Sequence, residues 1–467
     1  MNKFYITTTL PYVNAQPHIG FALEIIEADV LARFHRQAGD EVFFNTGTDE
    51  HGLKIFRNAE ELGVSVQQYC DDNAADFAKL KETLNLSIDN FIRTTDEHHL
   101  KAAQAFWKKC EANGDIYKKM YKVKYCVGCE LEKTDSELID GKCPLHANMQ
   151  VEIIEEENYF FRFSNYQKQL LDLYEKNKDF VLPQKRFNEV KRFVEGGLED
   201  FSISRLKSKM PWGVAVPDAP EHVMYVWFDA LVNYVSAIGW PADMEKFEKW
   251  WPVVQLAGKD NLRQQSAMWQ AMLMSAGIAP SKQIFINGFI GVNGQKMSKS
   301  LGNVISPSEM IEKFGVDGTR YLLLSFGNFG EDTDASWEKF TEKYNADLAN
   351  GLGNLVSRVV KLAQNLEYKP PKYDVKGLEE SVEKMELGIA LKSIWLSIKT
   401  ANQSIEENKP WELLKTDKKK FEEVMVGLMQ NVAIIQQQLM PFMPDTSEKI
   451  KTALETKKVT PLFQRIK

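Results

Sequence analysis

The chain has 467 residues, of which 44% are hydrophobic and 26% charged, and a formal net charge of −7. That length suggests two to four domains, each large enough to bury its own core. The composition excludes a disordered chain, a disulfide scaffold and a globally basic nucleic-acid binder. No apolar run reaches the ~20 residues needed to cross a bilayer, and MNKFYITTTLPYVN lacks the layout of a signal peptide. The expected location is the cytoplasm, with no membrane partner.

In chain order, Phe4–Thr9 reads as a strand, Gly20–Gln37 as a helix stopped by Gly39, and Glu41–Asn45 as a second strand. Strand, helix, strand implies a parallel βαβ unit with ligands at the carboxyl ends of its strands. From Tyr121 to Ser164 the chain is strand-like and rich in turns, and from Tyr166 to Pro211 charged amphipathic helices dominate. Strand signals return at Met224–Phe228, Val253–Ala257 and Gln283–Asn287, with a long helix expected over Leu262–Ala276. Beyond Trp337 only helical periodicity remains: Asn345–Gln364, Leu387–Glu406, Trp411–Leu414 and Phe421–Met440. The expected fold class is α/β, a Rossmann-like parallel-sheet domain split by an insertion and followed by an α-helical bundle. Its boundaries are read at 1–117 (first half of the sheet domain), 118–222 (insertion), 223–326 (second half), 327–344 (linker) and 345–467 (bundle).

Cysteine supplies the clearest chemical signal. Cys126-x2-Cys129, thirteen residues, then Cys143-x2-His146 offers four donors of the kind tetrahedral zinc prefers. Gly128 and Gly141 permit the tight turns of two metal knuckles. With all four positions filled by protein, the zinc is expected to be structural, at one site.

Two loops carry polar chemistry. In Pro11–Phe21, PYVNAQPHIGF, His18 stands where a helix begins, and a helix start offers free N–H groups to an anion. In Gly288–Val304, GFIGVNGQKMSKSLGNV, glycines flank Lys296 and Lys299, a composition suited to closing over polyphosphate. Taken singly, a helix cap and a solvated loop are the favoured explanations. Neither GxGxxG nor a Walker A sequence occurs.

Together these loops make the sequence specific. PHIG near the N-terminus and KMSKS some 280 residues later resemble the signature of class I aminoacyl-tRNA synthetases. TTTLPYVNAQPHIG, FNTGTDEHG, YCVGCE with CPLH, NEVKRFVEGGLEDFSISR, YVWFDALVNY, NGFIGVNGQKMSKSLGN and PLFQRI, in that order, are similar to the methionyl-tRNA synthetase family. The resemblance implies activation of L-methionine by ATP, with Mg2+, to methionyl-adenylate and pyrophosphate. Transfer to the terminal adenosine of tRNA(Met), the initiator included, would follow. It implies that His18, Lys296 and Lys299 act on the phosphates, that Gly20 contacts ATP, and that Gly258 and Asp260 hold the ribose. Asp49 would bind the α-ammonium of methionine. Leu10, Tyr12, Trp227, Ala230 and Tyr234, with Gln265, would line the methionine pocket. In the bundle, Asn354, Arg358 and Trp411 would read the CAU anticodon.

The chain departs from the family's pattern at Phe21 and Gln265, where histidines usually stand, at Gln264, where an aromatic is usual, and at Leu231, often a proline. These changes point to altered kinetics or specificity. Residues 331–467 hold 21 Lys+Arg and 21 Asp+Glu, so RNA recognition there must be local rather than by bulk charge. A monomer is expected, because no sequence here encodes an oligomerising tRNA-binding domain. The rival readings are a synthetase for another apolar amino acid, a non-catalytic RNA-binding relative, and a nucleotidyl transferase acting without tRNA.

Overall fold

The computed structural model describes residues 2–129, 131–133, 135–297, 302–367, 369, 371, 377–458 and 460–466. The chain divides into two compact units. One comprises Met1–Pro17, Asp40–Lys79 and Ile88–Ile286; the other comprises His18–Gly39, Leu80–Ser87 and Asn287–Lys467.

The first unit is built on a six-stranded sheet: β1 (Lys3–Thr7), β2 (Glu41–Thr48), β3 (Asn90–Arg93), β4 (Val181–Leu182), β5 (Val254–Gly258) and β6 (Gln283–Asn287). The spatial order is β3-β2-β1-β5-β6-β4. β1 pairs in parallel with β2 on one side and β5 on the other, and β2–β3 and β4–β6 are also parallel. Buried on both faces, such strands need continuous apolar runs, which Phe4-Tyr5-Ile6 supplies. Chain order reverses between β1 and β5, and that reversal opens a crevice at their carboxyl ends.

The insertion is an antiparallel sheet in which Ile116–Cys126 pairs with Glu152–Phe161, flanked by Leu131–Lys133 and Phe201–Ser202. The amphipathic helices expected after it are Gln167–Lys176 and Gln184–Glu195.

Two expectations are corrected here. Met224–Phe228 is not a strand: the strand is Ala219–Met224, and Val226–Leu231 is helical. A short apolar run satisfies both periodicities, and packing decides between them. The helix expected over Leu262–Ala276 begins with a 3-10 turn at Lys259–Asn261. It passes through a π-helical turn, Gln264–Met268, before the α-helix Trp269–Ser275.

The second unit is mainly helical. Its longer helices are Ile19–Gln37, Pro307–Ser325 (broken at Gly315, whose φ is 72°), Leu387–Asn408, Lys418–Leu439 and Pro444–Thr456. The last was not anticipated, because Pro444 reads as punctuation; it occupies the first turn, where its missing N–H costs nothing. The 327–344 segment contains a strand, Thr333–Ala335, parallel to Ile290–Val292, and a helix, Trp337–Lys343.

An ion network ties this unit together. The Arg320 guanidinium, wholly buried, donates to Asp29 Oδ2 at 2.7 Å and to the carbonyls of Leu84, Pro441 and Phe442 at 3.2, 3.0 and 2.9 Å. Asp29 also accepts from Arg33 Nε at 2.7 Å and from Ser87 N at 2.6 Å. Burial raises the Asp29 carboxyl, but Arg320, Arg33 and Ser87 overcome it and hold the group below its ordinary value, so the pair is ionised.

Candidate functional site

In the first unit, the residues that follow the central strands converge. Leu10 and Tyr12 lie just beyond β1 and Asp49 just beyond β2. Tyr12 and Asp49 form a parallel bridge, with Asp49 N donating to Pro11 O at 2.9 Å and Val13 N to Asp49 O at 3.2 Å. The backbone thus fixes a buried carboxylate beside an aromatic ring. Trp227, Ala230 and Tyr234 are spaced three and four apart through the helical turns Val226–Leu231 and Asn233–Ser236, which places them along one face. Tyr12 meets Trp227 edge-on, with ring centroids 6.4 Å apart. Tyr234 is reached from another element: Gln265 Nε2 donates to its hydroxyl at 2.8 Å. Gly258 ends β5 and Asp260 sits in the turn that follows. A Cβ at Gly258 would lie 2.7 Å from Asp260 Oδ1, so glycine leaves room for the carboxylate to take this position.

Sequence reading passed over a pair in this region. His51 Nδ1 lies 2.7 Å from Asp229 Oδ2, both side chains are buried, and Trp212 packs against the imidazole at 5.8 Å. Burial pushes the Asp229 carboxyl up, and His51 opposes it. The only available signal was that both residues flank nominated ones, in GTDEHG and VWFDA.

In the second unit, His18 is the N-cap of the Ile19–Gln37 helix, its Nδ1 accepting from Gly20 N at 3.0 Å. An accepting Nδ1 places the proton of a neutral imidazole on Nε2, so the cap and the phosphate-donor roles are compatible rather than exclusive. A Cβ on Gly20 would press on His18 Cε1 at 2.8 Å, which explains glycine after the cap. Lys296 lies in a short strand, Gln295–Lys296, paired with Gly291 and Val292 across the turn Asn293-Gly294. Both turn residues have positive φ, 54° and 75°, as a two-residue hairpin demands. Lys299 lies outside the described residues.

The cysteine cluster assembles as its spacing predicts. One ligand atom from each of Cys126, Cys129, Cys143 and His146 lies within 4.8 Å of the others. Cys129 Sγ is 3.4 Å from Cys143 Sγ and 3.1 Å from His146 Nδ1, while Cys126 Sγ is 3.8 Å from His146 Nδ1. A tetrahedron with Zn–S near 2.3 Å has edges of about 3.8 Å, close to this range. A Cβ at Gly128 would lie 2.5 Å from the His146 ring, so only glycine admits the imidazole into the cradle. The donor set and the space fit a single zinc ion.

On the bundle, Asn354 and Arg358 share the Asn354–Leu362 helix and line a cavity of about 620 Å³ with Lys392, Trp395, Lys399 and Asn402. The Arg358 guanidinium lies 5.6 Å from the centroid of Trp411 and donates to Glu406 Oε1 at 2.6 Å. The three residues nominated from the sequence therefore form one neighbourhood, with Trp411 38% exposed. Among the described residues no helix is long and apolar enough to cross a membrane.

Comparison with known proteins places the whole chain. Residues 4–153 and 137–360 match the model "tRNA synthetases class I (M)", and residues 353–463 match "Anticodon binding domain of methionyl tRNA ligase". The chain is similar to a methionine–tRNA ligase of Thermotoga maritima, 43% identical over 96% of this chain and 74% of the relative. It is similar to one of Brucella suis, 40% identical over 96% of this chain and 91% of the relative. Among solved structures it resembles Mycobacterium tuberculosis methionyl-tRNA synthetase in complex with methionyl-adenylate. The TM-score is 0.91, with 38% identity over 97% of this chain and 93% of that one. The apo form of the Mycobacterium tuberculosis synthetase matches with a TM-score of 0.85, 33% identity, and coverage of 100% and 99%.

Proposed function

The chain belongs to the methionyl-tRNA synthetase family, and from that premise we propose that it charges tRNA(Met) with L-methionine in two steps. A carboxylate oxygen of methionine attacks the α-phosphorus of ATP, forming the mixed anhydride methionyl-adenylate and releasing pyrophosphate. A ribose hydroxyl of the tRNA's terminal adenosine then attacks the carbonyl carbon, and AMP leaves.

The observation that carries this reading is the pairing of Tyr12 with Asp49 at the carboxyl ends of β1 and β2. It sets a carboxylate for an α-ammonium beside an aromatic wall for a thioether, next to the sheet's switch point. In this proposal Leu10, Tyr12, Trp227, Ala230, Tyr234 and Gln265 enclose the side chain, and Gly258 and Asp260 take the ribose. His18 and Gly20 meet the phosphates of Mg2+-bound ATP at a helix start, with His18 Nε2–H as donor. Lys296 and Lys299 neutralise charge that develops on the phosphate oxygens. Asn354, Arg358 and Trp411 read the anticodon by base-edge hydrogen bonds and stacking. Cys126, Cys129, Cys143 and His146 would hold one zinc ion, which cross-links the insertion and takes no part in the reaction. We also propose the division at 117, 222, 326 and 344, a cytoplasmic location and a monomeric state. Gel filtration tests the monomer, and a stable dimer refutes it.

The test is charging of initiator and elongator tRNA(Met) transcripts with radiolabelled methionine. Both are expected to be charged, and a transcript with its CAU anticodon replaced is expected to lose charging. Equal charging of the replaced transcript contradicts the anticodon assignment. For the metal, the purified protein is expected to hold one zinc per chain, and Cys126→Ser to lower that ratio. Protein prepared without chelators that holds none overturns the zinc assignment.

A further inference from the structure

We infer that His51 and Asp229 are positioning residues. Their bond locks the helical turn that carries Trp227 and Ala230 to the strand end that carries Asp49, and so sets how far apart the ammonium and the thioether of methionine are held. This rests on the reading of Asp49 and Trp227 as the two ends of the methionine site.

Those two ends come from separate elements. Asp49, buried, follows β2, whereas Trp227 and Ala230 belong to the turn Val226–Leu231. A ligand that touches both binds well only where their separation matches its own length, and neither element sets that separation by itself. One crossing between them is apolar. Tyr12, bridged to Asp49, meets Trp227 edge-on with ring centroids 6.4 Å apart. Another is polar: His51 Nδ1 lies 2.7 Å from Asp229 Oδ2. Ring contacts keep their attraction over a range of offsets, but a short buried hydrogen bond to a carboxylate does not. A carboxylate only accepts, so His51 Nδ1 is the donor.

Each side of that bond is stiff. Glu50, between Asp49 and His51, is wholly buried. Arg93 donates to its two carboxylate oxygens at 2.6 and 2.8 Å, and the hydroxyls of Thr48 and Thr95 donate at 2.6 Å each. The Glu50 N–H donates to Thr94 Oγ1 at 2.9 Å, and its carbonyl accepts from Trp212 Nε1 at 2.6 Å. The Trp212 ring packs on the His51 imidazole, 5.8 Å between centroids, which aims Nδ1 from behind. On the other side, Phe228 packs edge-on against Phe106 and Trp107, at 5.9 and 5.2 Å. His99 Nδ1 lies 2.9 Å from Ser236 Oγ, and Tyr5 Oη donates to the carbonyl of Tyr234 at 2.9 Å. Both sides therefore have supports that do not depend on the His51–Asp229 bond. Removing it loosens their separation and leaves each side folded.

The consequence is discrimination by length. S-methyl-L-cysteine carries the same ammonium and the same thioether as methionine with one methylene fewer between them. Across a fixed separation it cannot satisfy both ends at once. Across a slack one the walls close on it, and methionine loses its advantage.

The experiment is ATP–pyrophosphate exchange on the zinc-loaded chain with L-methionine and with S-methyl-L-cysteine, read as the ratio of their kcat/KM values. Asp229→Leu, similar in size but without an acceptor, is expected to lower that ratio roughly 3- to 10-fold, within the range one methylene can supply. It is also expected to raise the KM for methionine roughly 10-fold while the KM for ATP stays within about twofold. Two substitutions at His51 separate a placed donor from mere bulk. The amide nitrogen of His51→Asn stands as far from the backbone as Nδ1, and the ratio is expected to stay within about twofold of the parent. The nitrogen of His51→Gln stands at the distance of Nε2, and the ratio is expected to fall as in Asp229→Leu. This pair carries the test alone should Asp229→Leu not fold. A merely structural role would depress exchange with both amino acids equally and make Asn no better than Gln, which overturns the inference.

Equilibrium dialysis with radiolabelled L-methionine tests the underlying reading separately. Asp49→Asn is expected to weaken binding roughly 10-fold or more, through loss of a charge-assisted bond. If it does, and the ratio holds in Asp229→Leu and His51→Gln, the site stands and the positioning inference falls. If Asp49→Asn binds methionine as tightly as the parent, both fall.

Discussion

Tyr234 and Gln265 are 1% and 2% exposed and joined by a buried hydrogen bond, with Gln255 on the other side of the Gln265 amide. Trp411 is 38% exposed, and Arg358 faces it beside a cavity of about 620 Å³. Under the proposed assignments, the difference follows from the ligands. A small flexible amino acid brings few polar atoms, so its site must supply shape and fixed dipoles before it arrives. An RNA loop brings broad π-faces of its own, and a half-exposed indole can stack on them without being enclosed first. An open face still needs a rigid footing. In the second unit Arg320 provides it, binding the carbonyls of Pro441 and Phe442 between the last two helices and Asp29 on the Ile19–Gln37 helix.

The largest expected effect tests that footing. Arg320→Met leaves three buried carbonyls without their donor and Asp29 with one fewer cation. Breaking such a pair costs about 3–5 kcal/mol. Thermal unfolding should begin at a clearly lower temperature, and amides of Pro444–Thr456 should exchange faster. An unchanged profile would mean that the network bears no strain. Next comes the open face itself. Trp411→Ala should lower kcat/KM for tRNA charging by about 1–3 kcal/mol, the value of one stacked base. Methionine-dependent ATP–pyrophosphate exchange should be unaltered, since the proposed role of Trp411 is in reading RNA and not in binding methionine or ATP. Unchanged charging would show that the indole is packing, not reading.

A third effect, read as a pH slope and not as a single shift, concerns Glu27, buried beside Asn287 Nδ2 at 2.5 Å. Burial raises its carboxyl from 4.5 to about 8, against the hydrogen bond from Asn287. Between those values the folded chain holds a proton that the unfolded chain has lost, so this group's contribution to stability falls as pH rises through that window. The slope is at most about 1.4 kcal/mol per pH unit. Glu27→Gln should flatten the dependence of thermal stability on pH between 5 and about 8, and a slope equal to that of the parent contradicts the assignment.

Local signals in the sequence were dependable where chemistry is local. Gln283–Asn287 is the strand its residues suggest, and the Cys126 to His146 spacing places four donors together because each knuckle is a short turn. His18 begins its helix as PHIG suggests. The parts not legible are those that tertiary packing decides. Met224–Phe228 satisfies strand and helix patterns alike, and Pro444 marks the start of a helix as readily as an interruption. Asp229 meets His51 from 178 residues away, and Arg320 meets Asp29 from 291, distances no window can span. Gln265 shows as a departure from the family's pattern, yet its partner Gln255 and, beyond that, Ser281 belong to no motif. Only the folded chain brings them together.

The central claim is that this chain activates methionine. Its most direct test is ATP–pyrophosphate exchange with magnesium, run separately with each of the twenty amino acids on zinc-loaded protein. The account predicts exchange with methionine and none above background with the other nineteen, Phe21 and Gln265 notwithstanding. Exchange with a different amino acid, or none at all in protein shown to be folded, would contradict it.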